Sequence, residues 1–325
     1  MRDAVLIIAP ARDIHATAVA TVLDRDFGVK SVIWDRALLP LESRLDFRLD
    51  AMTCDIKLET PDGHHALDAF RSIWWRRPEK FRIDPAVTDR KVMAFCYAEC
   101  DALFRGAVQS LDIPIVNDPL AEFAAEKKPF QLAMARQAGL EIPRTLMSNN
   151  PDSIRAFWRD LAGNCIYKPF TSTDWKMNET RHLRAEDLPH LETLRHAPVI
   201  VQERIAKGVD VRVNIFGAAV FAAEISTQLP EADLDWRIDV TGQWRPHDLP
   251  AALAGKLQDL LADLGLQCGC IDLRQRPDGS YVFFEVNPSG QFLFAEIDTG
   301  QPLLRAMAQV LVAPARRDVR RSNAA

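Results

Sequence analysis

The stretch CGCIDLRQRPDGSYVFFEVN, residues 268–287, reads as two strands joined at the turn Pro277-Asp278-Gly279. Alternate residues of a strand share a face, so Glu285 and Asn287 point the same way. Pairing about the turn brings Asp272 into their neighbourhood. Two carboxylates and an amide oxygen are hard ligands, suited to Mg²⁺ that also holds substrate phosphates. The flanks are apolar (Cys270 and Ile271 before, Val282 to Phe284 after), which places these groups on a mostly buried sheet. Two buried carboxylates without a cation repel and resist ionisation. The alternative is a surface hairpin with ordinary acidic residues, and spacing alone leaves both open.

Outward from this hairpin the chain alternates strands and helices. Residues 4–9 (AVLIIA), 29–35, 72–75 (SIWW) and 113–118 read as buried strands, and 14–26 and 86–109 as helices. Alternating stretches in 44–60 before the turn at 61–63 predict a hairpin or two short edge strands. Together these define a small α/β unit to about residue 117. EKKPFQLAMARQAGL (126–140) reads as a helix closed by Gly139. A helix near 151–161, the strand NCIYKPF (164–170), the polar loop TSTDWKMNET (171–180) and the strand VIVQERI (199–205) follow. Residues 209–227 read as a hairpin turning at Gly217-Ala218, 250–264 as a helix and 300–313 as the last helix. The expected units are 1–117, 118–205 and 206–314, with a basic, frayed tail at 315–325.

The 325 residues are 48% hydrophobic and 26% charged, the balance of an ordinary globular protein. A net charge of -5 gives no reason to expect binding to nucleic acid or to an anionic membrane. No apolar run is long enough to span a bilayer. Asp3 precedes the first apolar run, which reads as a strand rather than a secretion signal. The six cysteines have no CxxC spacing and read as small hydrophobes of a reducing, cytoplasmic protein.

Several residues elsewhere invite a role around phosphate. Lys168 ends a strand and Lys128 opens a helix, places from which a lysine meets a phosphate as a point charge, with Lys127 and Lys176 as competitors. The apolar VIVQERI, with Glu203 near its end, suits an adenine edge read by backbone groups. Asp210 is placed to accept from a ribose hydroxyl, and Arg212 and Arg237 to neutralise phosphate or acyl-phosphate charge. For each residue alone, an edge-strand Glu or a surface salt bridge is the favoured reading.

In chain order, Lys128, Lys168, Gln202-Glu203, Asp210, Arg212, Arg237, Asp272 and Glu285-Val286-Asn287-Pro288 resemble the ATP-grasp ligases. FFEVNPSGQFLFAEIDTGQPL (283–303), IWWRRP (73–78) and EKKPFQL (126–132) resemble more narrowly the graspetide, or microviridin-type, peptide maturases. The family usually has Asn where this chain has Lys127. The resemblance implies an ATP-grasp fold of the α/β (α+β) class: an N-terminal pre-ATP-grasp domain, then central and C-terminal ATP-binding lobes. It implies ATP and Mg²⁺ as cofactors. Lys128 and Lys168 then bind phosphates; Gln202, Glu203 and Arg204 line the adenine hinge; Asp210 meets the ribose; Arg237 binds phosphate. Asp272, Glu285 and Asn287 hold the metal, while Arg212, Arg237 and Lys168 act on the reacting groups.

The expected reaction activates Asp or Glu side chains of a ribosomal precursor peptide (leader and core) as acyl phosphates. Ser/Thr hydroxyls or Lys amines then capture them, with no covalent enzyme nucleophile. Arg76 and Arg77 are candidates for acidic substrate side chains or the leader, or else pair within their own domain. The alternatives are a ligase like the ribosomal-protein glutamate ligases, adding an amino acid or small amine, and a non-catalytic nucleotide-binding protein. A homodimer is the expected assembly.

Overall fold

The computed structural model describes residues 3–171, 180–226, 234, 236 and 242–315. Strands and helices are numbered here in chain order. The first sheet is parallel, in the order β2 (Lys30–Trp34), β1 (Ala4–Ile8), β6 (Ser72–Trp75), β7 (Ile115–Val116). Its strands are apolar on both faces because both are covered. Val5 and Ile7 pack with α1 (Ile14–Phe27), while Leu6 and Ile8 pack with α2 (Arg90–Gln109). Asp13 caps α1 by accepting from the Ala16 amide, and Gly28, at φ 61°, ends it.

The expected hairpin is a three-stranded antiparallel sheet, β3 (Arg44–Leu49), β4 (Cys54–Thr60), β5 (Gly63–Ala66). The turn read at residues 61–63 joins its second pair. Leu45, Ile56 and Leu58 seat it on the α2 side.

The helix predicted over 126–140 is α4 (Lys128–Gln137), and a short helix that the sequence reading does not include, α3 (Pro119–Ala125), precedes it. They lead to an antiparallel sheet whose strands are β8 (Thr145–Ser148), β9 (Cys165–Lys168), β10 (Arg181–His182) and β11 (Val199–Glu203). Its spatial order is β10-β9-β11-β8. The helix α5 (Pro151–Asp160) covers it through Ile154, against Cys165, Leu183 and Val201.

The third sheet holds β12 (Val209–Phe216), β13 (Ala219–Ser226), β14 (Gln243–Pro246), β15 (Cys268–Gln275) and β16 (Tyr281–Asn287). Its order is β14-β13-β12-β15-β16, antiparallel throughout. Alternation decides its two faces. Val211, Val213, Ile271, Leu273 and Phe283 pack with Leu257, Leu260 and Leu261 of α6 (Ala251–Asp263). Arg212, Asp272 and Glu285 are cross-strand partners on the other face. The predicted last helix is α8 (Leu303–Val312); the short α7 (Leu293–Thr299), which the sequence reading does not include, precedes it across Gly300, where φ is 70°. Through Leu303, Met307 and Leu311, α8 joins the core of Val5, Val19 and Leu23. No helix among the described residues is long and apolar enough to cross a membrane.

Candidate active site

The register of β12, β15 and β16 puts Arg212, Asp272 and Glu285 in one row across the sheet. A bulge follows: Asp272 faces Glu285, but Leu273 faces Phe283. Phe284 is the extra residue, and it lines the inner cavity described below. Asn287 is two residues beyond Glu285. Its Nδ2 lies 3.1 Å from Asp272 Oδ2 and 3.1 Å from Glu285 Oε1. The three side chains therefore converge as the hairpin reading predicts.

Two carboxylates facing each other across a sheet repel unless cations attend them. Arg212 Nη1 donates to Asp272 Oδ1 at 2.7 Å. Lys128 Nζ donates to Glu285 Oε2. Burial alone raises the Glu285 carboxyl pKa, but Lys128 and then Lys168 outweigh it and hold it well below the usual carboxylate range. The site is thus a carboxylate pair in a cationic surround. Among the described residues no group of three or more His, Cys, Asp or Glu forms a metal site. Two carboxylates and an amide, open to further oxygens, are a donor set that fits Mg²⁺ shared with phosphate.

The helix α4 supplies both Lys128 and, one turn on, Gln131. The buried Gln131 amide donates from Nε2 to Val286 O at 2.6 Å and accepts from Val286 N at 3.1 Å. It serves as the missing strand neighbour of β16 between the two candidate ligands. Lys127 lies instead over the Phe123 ring, 3.7 Å from its centroid. Of Lys127 and Lys128, it is Lys128 that reaches the carboxylates.

Two cavities meet at Lys168 and Glu285. The inner one, of about 120 Å³, is lined by Gln202, Glu203, Arg204, Asp210, Arg212, Trp236, Asp272 and Phe284 among others. Gln202 Nε2 donates to Thr145 Oγ1 at 2.9 Å, which ties β11 to β8. Both Asp210 oxygens accept from Arg274, Oδ1 from Nε at 2.8 Å and Oδ2 from Nη2 at 2.9 Å. Arg274 was absent from the residues singled out by sequence. Arg237 and Lys176 lie outside the described residues, as does most of the loop after Lys168.

The outer cleft, about 860 Å³, is wider and cationic: Arg36, Arg77, Arg105, Lys127, Lys128 and Lys168 face Glu122, Glu126 and Glu285. Burial pushes the Glu122 carboxyl up to about 7, against a hydrogen bond from Ser289 Oγ at 2.8 Å. Arg76 departs from the expectation of substrate contact. It is 1% exposed and lines none of the cavities described here. Its Nε donates to Asp13 Oδ2 at 3.2 Å and its Nη1 to Ser289 O at 2.7 Å. Both arginines donate to Ser289 O, but Arg77 lines the cleft and Arg76 does not. Arg77 has φ 49°, a conformation a non-glycine residue holds only where its surroundings fix it.

Neither a protein-family model nor a curated protein matches the sequence. Solved structures do. The macrocyclase MdnC of Microcystis aeruginosa MRC, bound with precursor peptide MdnA, is 30% identical, with a TM-score of 0.84 over 95% of this chain and 99% of that one. A Chryseobacterium gregarium RiPP-associated ATP-grasp ligase in complex with ADP and a leader and core peptide is 25% identical. Its TM-score is 0.88 over 97% of this chain and 98% of that one. The ATP-grasp ligase PsnB, complexed with a phosphomimetic variant of minimal precursor, Mg and ADP, is 25% identical, with a TM-score of 0.78 over 96% and 98%. The fold is that of an ATP-grasp ligase, and the chain is such an enzyme. Within that class the chain belongs to the graspetide-type ligases that act in ribosomal-peptide maturation.

Proposed function

We propose that this ligase uses ATP to join Asp or Glu side chains of a ribosomal precursor peptide to Ser/Thr hydroxyls or Lys amines, closing macrocycles. The observation that carries this is the pair of cavities meeting at Lys168 and Glu285, a narrow one over the hinge strand and a wide cationic one. The wide cleft suits a chain bearing carboxylates better than a single free amino acid. The relatives at 25–30% identity were solved with precursor peptides, which favours the same reading over amino-acid addition. An intact carboxylate pair argues against a non-catalytic role.

Asp272, Glu285 and Asn287 would hold Mg²⁺, which supplies positive charge at the phosphate oxygens of ATP. Lys128 and Lys168 add point charges on the same side. Gln202, Glu203 and Arg204 border the adenine. Asp210, oriented by Arg274, meets the ribose. Arg212 holds Asp272 in place, and Arg237 belongs to the phosphate end by resemblance. Arg77 and Lys127 draw the peptide carboxylate into the cleft. The carboxylate attacks the γ-phosphorus, ADP leaves, and a hydroxyl or amine displaces phosphate from the acyl phosphate. Exclusion of water from the joined cavities protects that intermediate. A cytoplasmic homodimer is the proposed form, and molar mass in solution tests the assembly.

Co-expression with short peptides encoded beside the gene is the deciding experiment. Loss of one water per bond formed is the expected mass change. An unchanged mass with every neighbouring candidate sinks the macrocyclase reading.

A further inference from the structure

The segment Pro288–Leu293 runs from Asn287 into α7. Its backbone is gripped by side chains from the N-terminal α/β unit. Asn117 Nδ2 donates to Pro288 O at 3.3 Å. Arg77 Nε donates to Ser289 O at 2.8 Å. Arg76 Nη1 donates to Ser289 O at 2.7 Å and Gly290 O at 2.9 Å. His15 Nε2 accepts from Phe292 N at 3.0 Å and Leu293 N at 3.1 Å.

The last pair has a specific reason. The first amides of a helix lack intrahelical acceptors. Phe292, at the N-cap of α7, makes no side-chain cap bond. His15 supplies the acceptor from 277 residues away. It is 4% exposed, and its ring meets Phe292 edge-on at 4.9 Å. Accepting two amides at Nε2 places the proton of the neutral ring on Nδ1, on the side of Asp13. From the sheet, Arg212 Nη2 donates to Gln291 O at 3.1 Å while its Nη1 holds Asp272. Gly290 lets the segment lie this close: a Cβ there would come within 2.4 Å of Cys270 Sγ. The segment is therefore held along its length, by Asn117 at Pro288, by Arg212 at Gln291 and by His15 at Phe292 and Leu293.

We infer that His15 is a positioning residue for the candidate metal ligands, an inference that rests on reading Asp272, Glu285 and Asn287 as the magnesium site. It lines none of the cavities described here, so it acts through the 288–293 backbone. By capping α7 it fixes the far end of the segment that carries Asn287 at its near end and Gln291, the partner of Arg212, within it.

The test is ADP affinity with Mg²⁺ and with EDTA, by calorimetry, in the full chain. Wild type binds ADP more tightly with the metal. His15→Leu keeps the metal-free affinity but loses about tenfold of the metal-dependent gain, the usual scale for a group that orients a ligand. His15→Gln, which returns an acceptor near the Nε2 position, recovers most of it. A folded His15→Leu with the full metal gain overturns the inference and leaves the magnesium reading intact, as does an equal loss with and without metal. Wild type without any metal gain overturns both. Should His15→Leu not fold, Arg77→Ala decides, because its side chain is exposed and gives up one bond to Ser289 O. A drop of about threefold in the same gain supports the inference, on the scale of one net hydrogen bond; no drop overturns it.

Discussion

The two cavities that meet at Lys168 and Glu285 are built in opposite ways. In the inner one the polar groups are already committed to each other: Gln202 to Thr145, Asp210 to Arg274, Arg212 to Asp272. Such a surface presents one fixed pattern and reorganises little when a ligand arrives. The outer cleft is wide, and its cations outnumber its carboxylates. It attracts negative charge without prescribing a shape. One side is suited to a ligand that never changes, the other to a chain whose sequence varies.

The contrast predicts unequal damage. Asp210→Ala strands the buried Arg274 charge, and loss of one partner from such a pair costs about 3–5 kcal/mol. Urea unfolding should show that drop, and an unchanged midpoint would deny the inner cavity its prearranged character. Glu285→Gln, a change of charge at nearly constant shape, should cut ADP release by about 10²–10³-fold while the circular dichroism stays native. Wild-type-like turnover would sink the site assignment.

Glu122→Gln addresses the outer cleft. The folded Glu122 pKa of about 7 exceeds its unfolded value of 4.5, so the native state holds a proton that the unfolded state has lost. That contribution to stability is complete below about 4.5 and disappears as pH rises through 7, on the order of 3 kcal/mol at most. His15 works the other way. Burial, then Arg76, lowers its pKa from 6.5 to about 4, so its contribution disappears as pH falls from 6.5 towards 4. The opposed slopes nearly cancel between pH 4.5 and 6.5 in the wild type. Removing Glu122 leaves the His15 slope exposed, and stability should then rise with pH across that window. A pH profile identical to wild type would show that Glu122 is ionised after all. The smallest effect is expected for Lys127→Ala, a rim charge worth about 0.5–1 kcal/mol. It should raise KM for the peptide two- to fivefold and leave KM for ATP alone; an equal change in both would erase the division of labour.

Parts of this arrangement are legible in the sequence for plain reasons. The Pro277-Asp278-Gly279 turn and a period of two bring Asp272, Glu285 and Asn287 together, as found. The bulge at Phe284 is hidden because one extra residue changes register without changing composition; the aromatic doublet Phe283-Phe284, which breaks the alternation, is its only trace. The helix predicted over 300–313 is α8, whereas α7 before it spans only two turns, too few to show a helical period. Arg76 and Arg77 look equivalent in the sequence, yet the backbone sends one into the interior and the other to the cleft. Arg274, Gln131 and His15 escape notice because their partners are 64, 155 and 277 residues distant. No local pattern encodes such a pairing.

The helix α8 has a consequence for how the protein comes into being. It covers the α1 face of the first sheet, with Ser72 Oγ donating to Leu311 O at 2.7 Å. Strand β1 and helix α1 must therefore wait for α8, far along the chain, before that face is sealed. Until then Val5, Val19 and Leu23 lack their final cover, and the nascent chain carries an apolar surface that invites chaperones or self-association. A part made well before α8 is finished only when α8 arrives.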